Sequence, residues 1–449
     1  MTAPHATETL LAAPIAPTIA RLALPGVVLV AFQIAVSVGD TIFVGQLGTG
    51  PLAGLALVFP LVMLLQMASA GAMGGGVSSS IARALGAGRP AAARRLAVHA
   101  VVIAAASGLA FTALMLAGGP AIYRLLGGTG GPLAGALAYS NILFGGAIAV
   151  WLANTFASVL RGTGNMLVPA VALSLAATLH VPLSGALVLG LGPFPRLGIA
   201  GAAIAYVAGF TFAAAIMLAW LLRPSSSLRP TRGDLGFERA LFADILRVGA
   251  LSVVSAVQTV LTAVIVTGLV AGFGAAALAG YGVGVRLELL QVPLVFAIGQ
   301  AMVALIGTSI GAGRATHAKR IAFTGAAMAA AVCLAIGLTV AIFPDAWIGL
   351  FSDDPAVRAA GASYLRIAGP FYPLFGVGMA LYFASQGAGR VLLPVLAGTA
   401  RLFVVVAGGI TAASLGAPLV WLFALIALGL AVYGGLSAWF VARTVWGRA

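Results

Sequence analysis

The feature that most constrains this chain is a succession of apolar stretches, each long enough to cross a lipid bilayer as a helix. Of the 449 residues, 62% are hydrophobic and only 7% are charged, whereas a soluble globular chain carries about 25% charged residues. A membrane-spanning helix needs about 20 residues. We predict an all-α polytopic membrane protein with twelve transmembrane helices, at 17–44, 52–82, 96–118, 133–160, 168–191, 197–222, 243–270, 276–309, 320–343, 357–386, 392–415 and 418–441.

The basic residues are divided unevenly between the two sides of the membrane. With the N-terminus placed in the cytoplasm, 17 of the 23 Lys and Arg residues lie on the cytoplasmic side, four on the outer side and two within spans. Short loops rich in Lys and Arg stay in the cytoplasm. We therefore expect a multi-pass protein of the plasma (inner) membrane with both termini cytoplasmic. The net charge of +14 follows this loop pattern without interleaved aromatic residues, so no nucleic acid is expected as a partner.

The two halves of the sequence repeat each other. ALGAGRPAAARRLA at 84–97 matches SIGAGRATHAKRIA at 309–322, an offset of 225, and the same offset relates Tyr139 to Tyr364. The polar stretch between the halves predicts a linker. We expect an N-lobe at 1–222 with spans 1–6, a cytoplasmic linker at 223–242 and a C-lobe at 243–449 with spans 7–12. Because each half has six spans, the lobes have the same orientation, with a pseudo-two-fold axis along the membrane normal.

Asp40 is the acidic residue that the first span cannot easily accommodate. A carboxylate at membrane depth costs about 2.5–3.5 kcal/mol on insertion scales, so it normally faces a polar environment and has a function. The alternative is a buried structural hydrogen-bonding group. Gln33 and Ser37 share a helix face with Asp40 by their i, i+4 and i+7 spacing. Pro25, in the same span, removes a backbone hydrogen bond and so predicts a hinge.

Several further motifs lie along the chain: LPGVVLVAFQIAVSVGDTIFVGQLG in span 1, LGAGR and IGAGR in corresponding loops, LRGTGNMLVPA after span 4, and RLELLQVPLVFAIGQA in span 8. Taken together, these motifs resemble those of the multidrug and toxic compound extrusion (MATE) family. Span 1 is closest to the DinF-like bacterial and archaeal branch. The resemblance implies that Asp40 takes up a coupling proton, that Pro25 lets span 1 bend, and that Gln33 and Asn154 line the N-lobe cavity.

Several positions depart from the family pattern. Where many members carry an asparagine and an aspartate in span 5, this chain has Ala177 and Val181, with His180 beside them. Tyr206 replaces a small hydroxyl residue of span 6. We expect His180, Tyr206, Tyr139 and Ser37 to belong to the substrate cavity. His180 is either a proton-exchanging group, given its reference pKa of about 6.5, or a satisfied core residue. Carboxylates that a sodium site would need are missing, so the proton is the expected coupling ion. We expect no cofactor and no metal.

Away from their ends, the C-lobe spans contain one acidic residue, Glu288. Counted from the ends of their spans at 1.5 Å per residue, Glu288 and Arg401 lie at similar depth. We therefore predict a buried polar pair, which serves either packing or transport directly.

The function expected from these features is secondary active export of small organic compounds, cationic or amphipathic, by a monomer in the lipid bilayer, and not an enzymatic reaction. The G-A-G turns lack the Gly-Lys-Ser/Thr of a nucleotide-binding loop. The alternative is a lipid-linked oligosaccharide flippase of the same superfamily, which would need several arginines in its cavity, and only Arg286 and Arg401 lie within spans. A major-facilitator transporter would normally carry an acid in the 2–3 loop, where RALGAGRPAAARR has none.

Overall fold

A computed structural model describes residues 13–446 as a bundle of helices, without a strand in that range. The predicted N- and C-terminal ends, and Arg448 among the predicted cytoplasmic arginines, lie outside the described residues. The helices are α1 (Ile15–Gly45), α2 (Thr49–Gly86), α3 (Pro90–Leu125), α4 (Gly130–Gly145 and Ala147–Gly162), α5 (Leu167–Leu189), α6 (Ile199–Leu221), α7 (Arg239–Ala271), α8 (Ala275–Gly311), α9 (Ala315–Ile342), α10 (Pro355–Gly387), α11 (Leu392–Ser414) and α12 (Leu419–Arg443).

All twelve predicted spans correspond to helices that are long and apolar enough to cross a membrane. Eleven are single spans in the described part of the chain, and the twelfth, α4, is bent by 50° between its two parts. The twelve-helix polytopic fold is therefore confirmed. Several helices are longer than predicted; α3, for example, has 36 residues, because the helix continues through Arg94 and Arg95 at its start and through Arg124 at its end.

The chain separates into two compact units. The first is Leu24–Gly249, and the second consists of the residues up to Ala23 together with those from Ala250 onward. The first unit thus contains most of α1, all of α2–α6 and the start of α7. The segment 223–242, predicted as a linker, belongs to this first unit. Its last residues, from Arg239, are helical.

Ion pairs hold segment 223–242 and the start of α7 within the first unit. Arg94 on α3 donates to Asp234 at 3.0 Å, Arg95 pairs with Glu238, and Arg83 at the end of α2 donates to Asp244 at 2.7 Å. His99 is buried between them and accepts a hydrogen bond at its Nε2 from the backbone N–H of Glu238, at 2.9 Å. The basic start of α3 therefore has a structural partner inside its own unit.

Glycines at corresponding positions make the same close helix contact in each unit. A Cβ atom added to Gly162, at the end of α4, would lie 2.9 Å from the carbonyl oxygen of Ser78; one added to Gly387, at the end of α10, would lie 2.9 Å from that of Val303. Both glycines and both carbonyls are related by the offset of 225 found in the sequence. The repeat therefore conserves a backbone approach that only glycine permits.

The G-A-G-R turns also repeat in conformation. Gly88 has φ +69° and Gly313 φ +73°, a left-handed conformation that favours glycine. In both turns the N–H of the following arginine donates to the carbonyl four residues before the glycine, at 2.9 and 2.8 Å. This closes the C-terminus of α2 and of α8 in the same way.

Candidate functional site in the first unit

The carboxylate of Asp40 is buried in the first unit and is held by two side chains of α5. Asp40 is 7% exposed, His180 4% and Ser184 0%. His180 Nε2 lies 2.9 Å from Oδ1 and 3.0 Å from Oδ2 of Asp40. The Ser184 hydroxyl donates to Oδ1 at 2.5 Å. A buried carboxylate is stable only when it is hydrogen-bonded or paired, and both His180 and Ser184 lie within hydrogen-bonding distance of Asp40.

The sequences of α1 and α5 explain why these side chains meet. His180 and Ser184 are four residues apart and so lie on one face of α5. The helices approach closely at two glycines: an added Cβ would lie 3.4 Å from Val181 at Gly39, and 2.9 Å from Phe43 at Gly185. These small residues bring the backbones together, so that the short side chain of Asp40 reaches α5.

A second polar cluster lies on α2, α4 and α6. Gln66 donates to the Tyr206 hydroxyl at 2.6 Å, and Asn154 donates both to Gln66 Oε1 at 3.0 Å and to Ser69 at 2.8 Å. The Tyr206 ring stands perpendicular to the His180 ring, with centroids 6.2 Å apart. A chain of polar side chains therefore begins at the Asp40 site and continues to α2.

This cluster coincides with an irregularity in α2. Residues Met67–Met73 form a π-helical segment within that helix. Such segments are rare and often occur at functional sites, because the wider turn changes the direction of the side chains around it. Ser69 lies in the segment and Gln66 immediately precedes it.

The structure brings together some of the predicted cavity residues and not others. Asp40, His180, Asn154 and Tyr206 belong to the two connected clusters. Tyr139 is also buried, within electrostatic range of Asp40.

Gln33 and Ser37 are exposed on α1, although they share its periodicity with the buried Asp40. Pro25, the predicted hinge, lies within an uninterrupted α1. Their predicted roles therefore stay predictions.

Sequence reasoning missed Ser184, Gln66 and Ser69. The spacing of His180 and Ser184 was the available signal for Ser184, since two polar residues four apart on an apolar helix share a face. No comparable signal identifies Gln66 and Ser69, because their partners come from α4 and α6. Among the described residues, no group of three or more His, Cys, Asp or Glu side chains could hold a metal ion.

The second unit has a buried ion pair of its own. Arg401 on α11 donates to Glu288 on α8 at 3.1 Å, and the Tyr364 hydroxyl donates to the other carboxylate oxygen at 2.9 Å. Glu288 is 9% exposed. The two residues selected by depth in the sequence therefore lie in contact, with a tyrosine as a further donor.

Comparisons with known proteins account for both halves of the chain. A family model described as MatE matches residues 25–185 and again residues 250–411, two segments that begin 225 residues apart, as the sequence repeat does. The chain belongs to the MatE family. Members of this family are membrane transporters, so the chain is a multi-pass transporter and not an enzyme.

Individual relatives agree with the MatE assignment. The chain is 32% identical to a probable multidrug resistance protein NorM of Deinococcus radiodurans, with 96% of each chain covered. It is 26% identical to an FAD transporter of Shewanella oneidensis, over 82% of this chain and 81% of that protein. Its fold matches the structure of a MOP superfamily transporter from Pyrococcus furiosus with a TM-score of 0.89, at 24% identity and over 97% and 98% of the two chains.

Proposed function

We propose that this MatE protein exports small organic compounds in exchange for protons, and that Asp40 is the proton carrier. The observation that supports this most is the placement of Asp40: a carboxylate buried within a membrane span, with a titratable imidazole and a hydroxyl in direct contact. An ionisable residue inside a membrane span is by default a functional candidate. Export proceeds by alternating access, as in other transporters built from repeated halves.

Competition at Asp40 couples the two movements. Burial favours the neutral carboxylic acid, whereas a nearby cation favours the carboxylate. A proton and a cationic compound therefore exclude each other from the site. Small cationic or amphipathic compounds are the proposed substrates, and the names of the NorM relatives, as multidrug resistance proteins, agree with this class.

The proton is the proposed coupling ion in preference to sodium. A sodium site would need several oxygen ligands around the ion, whereas the partners of Asp40 are one imidazole and one hydroxyl. We further propose that the protein works as a monomer in the plasma membrane, with cytoplasmic termini as the distribution of basic residues predicts.

The flippase alternative receives less support. Recognition of a pyrophosphate-linked lipid would need free arginines within the spans. Arg401 is engaged by Glu288, and the Arg286 guanidinium lies 5.4 Å from the centre of the Phe351 ring. Neither arginine is thus available without giving up an existing contact.

Transport by the purified protein tests the proposal. Proteoliposomes that contain the wild-type chain are loaded with the cationic dye ethidium, and its movement is followed under an imposed pH gradient and then under an imposed sodium gradient. We expect the pH gradient alone to drive the dye against its concentration gradient. Movement under the sodium gradient only, or under neither gradient, would contradict the proposal.

A further inference from the structure

We propose that the transported proton is shared by Asp40 and His180, whose side chains are in direct contact, and that Ser184 is a positioning residue for the carboxylate. This inference rests on the proposed function and specifies its proton site. It assigns to His180 a role that a lone carboxylate carrier would not need.

The geometry of the pair identifies where a proton must lie. His180 Nε2 faces both oxygens of Asp40, at 2.9 and 3.0 Å. Without a hydrogen between them, a lone pair on nitrogen would face the lone pairs of the oxygens. When Asp40 is ionised, Nε2 therefore carries a hydrogen and donates it. Ser184 supplies a second donor to Oδ1, which fixes the orientation of the carboxylate.

The pair has three charge states. With both groups protonated its charge is +1; with one proton removed it is zero, as an ion pair or as two neutral groups; with two removed it is −1. A net charge is costly at a buried site, whereas a hydrogen-bonded pair of opposite charges is tolerated. The neutral state of the pair is therefore favoured over both of its charged states.

The neighbouring groups leave this balance to the pair itself. Ser184 on α5 faces the Asp40–His180 pair but does not titrate. The titratable side chains that face the pair are Tyr206 on α6 and Tyr139 on α4. Both are phenols, which remain neutral near pH 7. The charge of the site is therefore determined by the number of protons on Asp40 and His180.

A transport step can be written with one proton released and one bound. When a cationic compound enters, the N–H bond at Nδ1 of a cationic His180 breaks and this proton passes to water. His180 Nε2–H still donates to the ionised Asp40, and the site has charge −1, complementary to the compound. Binding of a proton at Nδ1 restores zero charge, and the compound is released.

Nitrogen-15 NMR of the purified protein, labelled at its imidazoles, tests the inference without any need for a known substrate. The chain has four histidines, and His180→Gln identifies the His180 signal by its absence. We expect the midpoint of the His180 titration to move to lower pH by about 1–3 units in Asp40→Asn, because an opposite charge in contact favours the charged imidazole by that amount. The His317 signal serves as the internal control and should not move.

Ser184→Ala is the second variant, since it keeps both titratable groups. A carboxylate that loses a hydrogen-bond donor binds a proton more readily. The His180 signal also reports protonation of the neighbouring Asp40 as a step at lower pH. That step should move up by about 1–2 pH units when the hydrogen bond to the charged carboxylate is lost. A merely structural role for Ser184 would leave this step in place.

The outcomes separate this inference from the proposed function. Equal His180 midpoints in the wild type and in Asp40→Asn would overturn the shared proton, as would an unmoved step in Ser184→Ala. If Asp40→Asn nevertheless abolished proton-driven ethidium efflux, Asp40 would remain the carrier and only the part of His180 would be lost. A shift of both signals as expected supports the shared site.

Discussion

The Nε2 atom of His180 lies 2.9 Å from Oδ1 of Asp40, although 140 residues separate the two in the chain. This contact joins α1 to α5 at the point where the first unit buries its transmembrane carboxylate. It pairs an acid with a base, so that the site is able to be electrically neutral while both groups are charged. The proposed coupling of proton movement to export of the compound depends on this pairing.

The ion pair of the second unit predicts a measurable coupling in stability. Removing one partner of a buried pair typically costs about 3–5 kcal/mol, because the other charge is left without compensation. We expect Glu288→Gln and Arg401→Gln each to lower the thermal unfolding temperature in detergent, and the double variant to recover part of the loss. Thermal unfolding is followed by a fluorescence signal that does not require labelling of the cysteine. Strictly additive losses would show that the two side chains do not interact.

Tyr364→Phe provides a graded comparison at the same site. It removes the hydroxyl that donates to Glu288 at 2.9 Å and keeps the ring. The ion pair with Arg401 remains, so the expected loss is about 1–3 kcal/mol, that of one donor to a buried charged group. A loss as large as that of Arg401→Gln would mean that the tyrosine contributes as much as the arginine to the stability of the buried carboxylate.

The repeated glycine contact predicts a steric penalty in each unit. Gly162→Ala and Gly387→Ala would each place a Cβ 2.9 Å from a backbone carbonyl, and overpacking of this kind costs about 1–3 kcal/mol. Gly435→Ala is a matched control, because an added Cβ there meets no atom within 4 Å. Thermal stability in detergent should fall for the first two variants and not for the third.

Segment 223–242 should respond to acid through Asp234. Hydrogen bonds from Thr231 and from Arg94 lower the pKa of Asp234 to about 2, against the opposing effect of burial. Its ordinary value is 3.8, so the contribution of the ionised group is complete above about pH 4 and is lost as the pH falls toward 2. Protection of amides in this segment from hydrogen exchange, corrected for intrinsic rates, should fall over that range.

Asp234→Asn should loosen the same segment at neutral pH. Tryptic cleavage after Arg232, which Gly233 follows, should become faster than in the wild type at pH 7.5. Asp353→Asn is the control, because that side chain is 99% exposed and exposed pairs contribute little. Equal cleavage rates in the wild type and in Asp234→Asn would show that the contacts of Asp234 do not hold the segment.

Pro25 lies within a continuous α1 and removes one of its backbone hydrogen bonds. If α1 hinges there during transport, Pro25→Ala should keep substrate affinity and slow turnover, since the restored hydrogen bond disfavours one of the two states. Binding of ethidium and its rate of efflux are measured separately on the same preparation. Unchanged turnover would leave the proline with a role in helix shape alone.

The sequence was sufficient for features that depend on hydropathy and local geometry, and insufficient for those that depend on which helix faces meet. The twelve spans and the glycine turns are of the first kind, as was the depth that selected Glu288 and Arg401. Gln33 and Ser37 are of the second kind: they share the periodicity of Asp40, but the close approach of α5 occurs near Gly39 and Phe43.

The π-helical segment is unpredictable for a different reason. Residues Met67–Met73 contain no proline that would interrupt a regular helix. Their apolar composition fits an α-helix and a π-helix equally. What distinguishes them is the hydrogen bonding of Gln66 and Ser69 with Asn154, which brings side chains from two helices together.

Asp40→Asn is the sharpest test of Asp40 as the proton carrier, because an amide replaces the acid at nearly equal volume. The variant is reconstituted and ethidium efflux is measured under an imposed pH gradient, beside wild type and Asp353→Asn, with thermal stability recorded for each. We predict that proton-driven efflux is abolished in Asp40→Asn and retained in Asp353→Asn, while all three proteins remain folded. Efflux at the wild-type rate by a folded Asp40→Asn protein would contradict the account.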